Sequence, residues 1–499
     1  MKAVIKSPTK AYIVDCTEEE IADLKFRLTY TNTANQHKVK RHSHNHWWKN
    51  QNPETWGIEL KKLQATVKNT LIFGDHIRPA SLHYLSGMSP PIEVINEIVY
   101  PTPKAVPWTR PLPFQLHPYQ QASAENLIKV KHGNVSLCTG SGKSAILLKI
   151  CRDTGFRTAI VAPSKSIFNE LIERFEHHLG KGMIGKFGDG KKVLDKRFTI
   201  CIGDSIANIE QGTEEWEFFS KLDMLCVDES HTWGAETLNA ICHGIFADVP
   251  YRMFFSGTQT RGDGAEKLLQ SIIGETVYTL STSDAIKGGY ICPHRFKIVE
   301  VESSNPNFMN PDALAMKRAH FLNNRNICAF VAKLANSMAT TYRQQTLVLV
   351  EELSQIAALL PLLTVPAAIA HSEKKAERLA ELGLTKVDPA ESVELFNKGE
   401  AMVLIGTSCI ATGTNIYPCH NTVNWVGGSS EIKTKQGSVG RSVRMGSQNP
   451  WKDKCTPKTE AIIWDFNVIN VHVMEAHLET RLEYYADSGT EIKHIKLKK

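Results

Sequence analysis

The chain has 499 residues, of which 42% are hydrophobic and 22% charged, with a formal net charge of +6. This is too long for one core and too apolar for a disordered chain, so two or three globular domains are expected at about 150 residues each. The small positive excess suits a polyanionic partner without requiring one. The 11 cysteines show no CxxC or zinc-type spacing and several lie inside apolar runs, so they read as reduced core residues. The opening residues carry no signal-peptide pattern, and no later run reaches the roughly 18 apolar residues of a membrane span. A cytoplasmic chain with no membrane partner is expected.

The first hundred residues are rich in Lys, His, Asn and Trp. Their densest stretch, 37–49, carries Lys40, Arg41, Trp47 and Trp48, the mixture of cations and stacking rings that tracks a phosphate backbone. Histidines at 37, 42, 44 and 46 have no cysteine or carboxylate among them, and their spacing fits no common metal site. The proline-dense stretch 101–118 reads as a linker.

From Leu116 onwards short apolar β-branched runs alternate with amphipathic stretches. The runs at 158–162, 224–227 and 252–255 form one series, and those at 346–350, 368–370, 402–405, 422–425 and 461–464 form a second. Strands alternating with helices predict two α/β units, each a parallel sheet covered on both faces, with a boundary near Pro293. The expected domains are 1–104, 105–293 and 294–499, and the basic end 493–499 reads as a frayed terminus.

At the start of the first series an apolar strand runs into Thr139, Gly140, Ser141, Gly142, Lys143 and Ser144, and an amphipathic run follows. Strand, glycine turn and helix start are the context of a phosphate-binding loop, although Leu137 stands at the first position of GxxxxGK[ST] where glycine is usual. The glycines let backbone N–H groups close around phosphates, Lys143 reaches the β and γ phosphates, and Ser144 offers a hydroxyl to Mg2+. Downstream, the strand 224–227 delivers Asp228 and Glu229 to its C-terminal end, where ligands of open α/β sheets bind. Asp228 suits Mg2+ and Glu229 suits the water that attacks a γ phosphate.

Taken together, these motifs resemble those of superfamily 2 helicases of the DExH kind from Leu116 to Trp464, nearest the phage UvsW, RecG and XPB types. The resemblance implies an α/β fold of two tandem RecA-like parallel-sheet domains behind a small N-terminal α+β accessory domain. Gln120 would read adenine. Pro163 and Ser164, then Gly203 and Ser205, would touch the nucleic-acid backbone. Ser256 and Thr258, with His231, would couple hydrolysis to movement. In the second unit Thr407, Gly413 and Asn415 resemble the motif that touches both nucleic acid and nucleotide.

Gln436, Gly440, Arg441 and Arg444 resemble QxxGRxxR, the most specific match in the chain, with three residues rather than two between Gln436 and Gly440. At i and i+3 the two arginines would share a helix face and point at the nucleotide, with Arg444 the main arginine finger. The family reading implies ATP and Mg2+ as cofactors, and branched, forked or partly single-stranded DNA as partner. Recombination or replication proteins would be further partners, movement would run 3′ to 5′, and the setting would be the cytoplasm, or a host's if a phage encodes the chain. Three rivals remain: an RNA helicase, a duplex-translocating subunit whose partner is a nuclease, and a non-catalytic DNA-binding scaffold. Intact Lys143, Asp228, Glu229, Gln436, Arg441 and Arg444 weigh against the last.

Overall fold

The computed structural model describes residues 1–31, 39, 68–106, 115–230, 233, 235–257, 266–310, 312–410, 416–428, 439–486 and 488–496. Chain contacts divide it into two compact units. One comprises Met1–Leu137 with Gly142–Thr279, and the other comprises Cys138–Ser141 with Leu280–Lys499.

In the first unit the N-terminal strands are β1 (Lys2–Ser7), β2 (Lys10–Val14), β3 (Thr29–Thr31), β4 (Lys68–Thr70), β5 (Ile72–Phe73), β6 (His76–Ile77) and β7 (Glu93–Asn96). Five of them form a sheet in the order β5-β6-β2-β1-β7, and β3 pairs with β4. The helix Glu18–Leu28 starts from a capping box: the Glu20 N–H donates to Thr17 Oγ1 at 3.2 Å and the Thr17 N–H donates to Glu20 Oε2 at 2.8 Å. Leu24 and Leu28 turn its buried face into a core with Ile5, Ala11, Leu71, Ile77, Leu85 and Met88.

That small core is not closed on itself, because Leu268 of the helix Glu266–Ile273 packs against it. Buried Arg78 donates to Ser271 Oγ at 2.7 Å and to Asn239, and Tyr84 bonds to Gln270. The N-terminal sheet is therefore joined to two helices of the following α/β fold by a charged hydrogen-bond donor as well as by apolar contact.

The larger sheet of this unit contains β8 (His132–Leu137), β9 (Thr158–Ala162), β10 (Ile184–Gly188), β11 (Lys191–Val193), β12 (Phe198–Ile202), β13 (Met224–Val227), β14 (Tyr251–Ser256) and β15 (Thr276–Leu280), in the order β11-β10-β12-β9-β13-β14-β8-β15. From β10 across to β8 neighbouring strands are parallel, so the C-terminal ends of β8, β9, β13 and β14 share one edge. Strand β9 is buried along its whole length, as a strand covered on both faces must be. Buried Arg252 donates to the carbonyls of Phe246 at 3.0 Å and Cys242 at 2.5 Å, so its charge is spent on backbone acceptors.

The second unit is built on β16 (His294–Val301), β17 (Thr346–Val350), β18 (Ala367–Ala370), β19 (Val403–Gly406), β20 (Asn421–Trp425), β21 (Ala461–Val468) and β22 (Ile492–Lys496), in the order β18-β19-β17-β20-β21-β16-β22. Every pairing in it is parallel. Two tandem α/β units with largely parallel sheets are the RecA-like fold, as expected. One expectation fails: residues 492–496 are not a frayed end but a strand on the edge of β16, with Phe296 opposite Ile492. Lys493 and Lys496, with His494 exposed between them, suit a strand at the sheet's edge. All 11 cysteines are free and 8 of them are buried. No helix among the described residues is long and apolar enough to cross a membrane.

Candidate nucleotide site and motor motifs

At the C-terminal edge of the first sheet, β8 ends at Leu137 and the chain turns through Gly140 (φ 87°) and Gly142 (φ 76°) into the helix Lys143–Thr154. Both angles are left-handed, which glycine adopts without a Cβ penalty. A Cβ on Gly142 would also lie 2.7 Å from Gln120 Nε2. Gln120 is buried on the helix Pro118–Val130, and its Oε1 accepts the His117 N–H at 2.9 Å. The expected adenine reader thus stands beside the phosphate loop with its oxygen already engaged in a helix cap. Thr139 is half-buried and Ser141 buried within the loop.

Two strands away β13 ends at Val227, and the next two residues meet the phosphate loop's lysine. Lys143 Nζ lies 2.9 Å from Glu229 Oε1, both side chains nearly buried. Glu229 holds a left-handed φ of 47°, unusual for a residue with a Cβ, and its N–H donates to Asp228 Oδ1 at 2.9 Å. Asp228 is buried, and its carboxyl is raised well above the usual range by loss of solvent first and by the Glu229 charge second, against the pull of Lys143. Two carboxylates beside one lysine leave this pocket short of positive charge.

That shortage, with oxygen-only donors from Ser144 and Asp228, fits a hard divalent cation such as Mg2+, and the glycine turn before a helix N-terminus fits a phosphate chain. Bound there, a nucleotide would supply the γ-phosphoryl group and its cation would supply positive charge beside these carboxylates. Ser144 and Asp228 are the residues that would hold the cation, and Lys143 with the loop amides would hold the phosphates.

The remaining expected contacts fall as follows. Pro163 and Ser164 follow β9, and Ser164 Oγ caps the helix Lys165–Leu179 by accepting the Ile167 N–H at 3.4 Å. Gly203 and Ser205 lie in the short helix Gly203–Ala207 after β12, where a Cβ on Gly203 would strike the Trp233 ring at 1.6 Å. Trp233 in turn donates its indole N–H to the Asp228 carbonyl at 3.2 Å, so Gly203 is bound to the acidic motif through one aromatic ring. Ser256 is the buried last residue of β14, and Thr407 follows β19 half-buried. Lys40, Arg41, Trp47, Trp48, His231, Thr258, Gly413, Asn415 and Gln436 lie outside the described residues.

In the second unit Arg441 is buried within the short helix Gly440–Ser442, whereas Arg444 lies beyond its end and is half-buried. The helix face expected to carry both does not extend that far among the described residues. Buried Lys458, which the motif does not contain, donates to the carbonyls of Ser442 at 2.6 Å, Arg444 at 2.8 Å and Tyr417 at 3.3 Å, filling acceptors left open where the helix ends. Ser442 Oγ donates to Thr422 Oγ1 at 2.8 Å and ties the same turn to β20.

Two further groups escaped sequence reasoning. Arg174 donates to Ser144 Oγ at 2.9 Å and to Glu170 Oε1 at 2.7 Å. Arg481 forms a buried two-pronged pair with Asp465 at 2.7 and 3.0 Å and donates to the Gly428 carbonyl at 2.7 Å. Only the i,i+4 spacing of Glu170 and Arg174 was visible in advance, and such pairs are common on solvated helices.

Comparison with known proteins bears on this geometry. Residues 113–261 match the family model described as type III restriction enzyme, res subunit. A protein named DNA 3′-5′ translocase XPB2, from Sulfurisphaera tokodaii, is 29% identical over 215 residues, 43% of this chain and 46% of that protein. These two matches support reading the chain as a superfamily 2 helicase. It is also similar to putative helicase 22 of Sulfolobus islandicus filamentous virus, at 24% identity over 369 residues, 68% of this chain and 63% of the relative. The chain thus spans less than two thirds of either relative. Among solved structures, a fragment of a putative HsdR subunit of a type I restriction enzyme from Vibrio vulnificus shares the fold, with a TM-score of 0.51 at 18% identity over 76% of this chain and 68% of that one.

Proposed function

We propose that this superfamily 2 chain is an ATP-driven motor that moves 3′ to 5′ on DNA and unwinds or remodels branched duplexes in replication, recombination or repair, in the cytoplasm. The observation that carries the reading is the meeting of Lys143 with Asp228 and Glu229 at the C-terminal edge of one sheet. The name of the XPB2 relative supports both DNA and the direction.

In this reading Lys143 leaves Glu229 to bind phosphate oxygens, and Glu229 takes the proton of the attacking water. Ser144 and Asp228 hold the cation, the amides of 139–142 cradle phosphates, and Gln120 reads the base. Gln436, Arg441 and Arg444, with Gly413 and Asn415, are the further nucleotide contacts of this reading. His231, Ser256 and Thr258 transmit the state of the nucleotide. Pro163, Ser164, Gly203, Ser205 and Thr407 grip one strand, while 1–104, through Lys40, Arg41, Trp47 and Trp48, holds duplex or branched DNA. The segments 105–293 and 294–499 act as the two halves of the motor.

A second reading, a translocating subunit that works with a partner nuclease, is supported by the restriction-enzyme description of the matching family model. The test is ATP hydrolysis by the wild type and Lys143→Ala without nucleic acid, and with single-stranded DNA, branched DNA, plain duplex and RNA, at fixed salt because phosphate contacts are salt-sensitive. Greatest stimulation by branched DNA and loss in Lys143→Ala are expected. Stimulation by RNA alone would overturn the substrate, and stimulation by plain duplex alone would favour the restriction-type motor.

A further inference from the structure

Glu170 and Arg174 belong to no motif named above. They lie one turn apart on the helix Lys165–Leu179, and the Arg174 guanidinium reaches two ways, to Glu170 on its own helix and to the Ser144 hydroxyl of the phosphate loop. Their side chains are only 34% and 19% exposed for Arg174 and Glu170 respectively. Glu170 is also close enough for its charge to act on Asp228.

We propose that the Glu170–Arg174 pair is a positioning device that sets how readily the phosphate loop accepts its divalent cation: Arg174 competes with the cation for the Ser144 oxygen, and Glu170 restrains Arg174. The inference rests on reading that loop as a nucleotide and Mg2+ site. A serine oxygen has two lone pairs. An arginine N–H on one of them leaves a single position for a metal and sets a positive charge beside it. The carboxylate of Glu170 cancels that charge only while the pair is intact.

The two partners should therefore have opposite effects. Losing Arg174 frees the hydroxyl and leaves an unpaired carboxylate near the site, which favours the cation. Neutralising Glu170 leaves Arg174 unbalanced, which opposes it. General loosening of the helix would move both variants the same way.

The experiment is binding of a fluorescent ADP analogue to the full chain as Mg2+ is titrated, with a chelator baseline. For a partly exposed pair, Arg174→Ala is expected to lower the Mg2+ concentration at half-effect by about 2- to 5-fold, and Glu170→Gln to raise it by a similar factor. Arg174→Lys, which keeps the charge but not the fork, should shift in the same direction as alanine by less, and it carries the test if the alanine variant does not fold. Shifts of one sign in both partners, or none in either, would overturn the inference while leaving the nucleotide site standing. A wild type that binds no ADP would overturn both.

Discussion

Lys143 and Glu229 hold each other at 2.9 Å, so each blocks the other's expected work until something separates them. Glu229→Gln removes the charge that detains Lys143 but keeps the shape of the site. It should bind ATP at least as tightly as the wild type and lose hydrolysis by about 100-fold or more, measured by nucleotide fluorescence and phosphate release. Arg481 and Asp465 have no such release, since both are almost fully buried and bonded at two points. Arg481→Met strands the carboxylate and should cost about 3–5 kcal/mol of stability in a denaturant titration. At this scale the sequence was legible where chemistry demands a residue type at a fixed spacing, as at Gly142, Lys143, Asp228 and Glu229. Arg174, Lys458 and Arg481 were not, because Ser144, Ser442 and Asp465 lie 30, 16 and 16 residues from them, and the i,i+4 spacing of Glu170 and Arg174 is common on solvated helices.

Among the elements, the fully buried strands β9, β13 and β17 were plain in advance, because unbroken β-branched and apolar runs between turn residues have few other uses. The edge strand β22 was missed because Lys493 and Lys496 read as part of a solvated tail until β16 supplies a partner. The attachment of the N-terminal sheet was equally invisible, since it depends on Arg78 meeting Ser271, 193 residues away. Arg78 is buried, which lowers its pKa to about 10, so it stays charged at neutral pH. Arg78→Ala removes charged hydrogen bonds and should lower stability by about 1.5–3 kcal/mol, seen as a reduced thermal midpoint. Deleting 1–104 goes further, because it also uncovers Leu268 on the helix Glu266–Ile273. The truncated chain should keep part of its DNA-stimulated ATPase, melt earlier and bind forks more weakly, whereas unchanged fork binding would contradict the accessory role.

Across the whole molecule, buried His294 and the half-buried His132 and His243 set an acid limit. Loss of solvent is the main cause that lowers His132 to about 3, His243 to about 2 and His294 to about 4. Each stays neutral when folded and takes up a proton when unfolded below pH ~6.5. The stability they contribute is therefore present above that pH and is lost as pH falls towards the folded values, by up to about 1.4 kcal/mol per pH unit for each. Thermal midpoints should drop between pH 7 and 5, and a flat profile would show that these groups are not buried neutral.

The central claim is directed, ATP-driven movement on DNA, and displacement of streptavidin from single-stranded DNA biotinylated at one end measures it most directly. The expected result is release from the 5′ end, dependent on ATP and absent in Glu229→Gln. DNA-stimulated hydrolysis with release from neither end, or from the 3′ end alone, would contradict it.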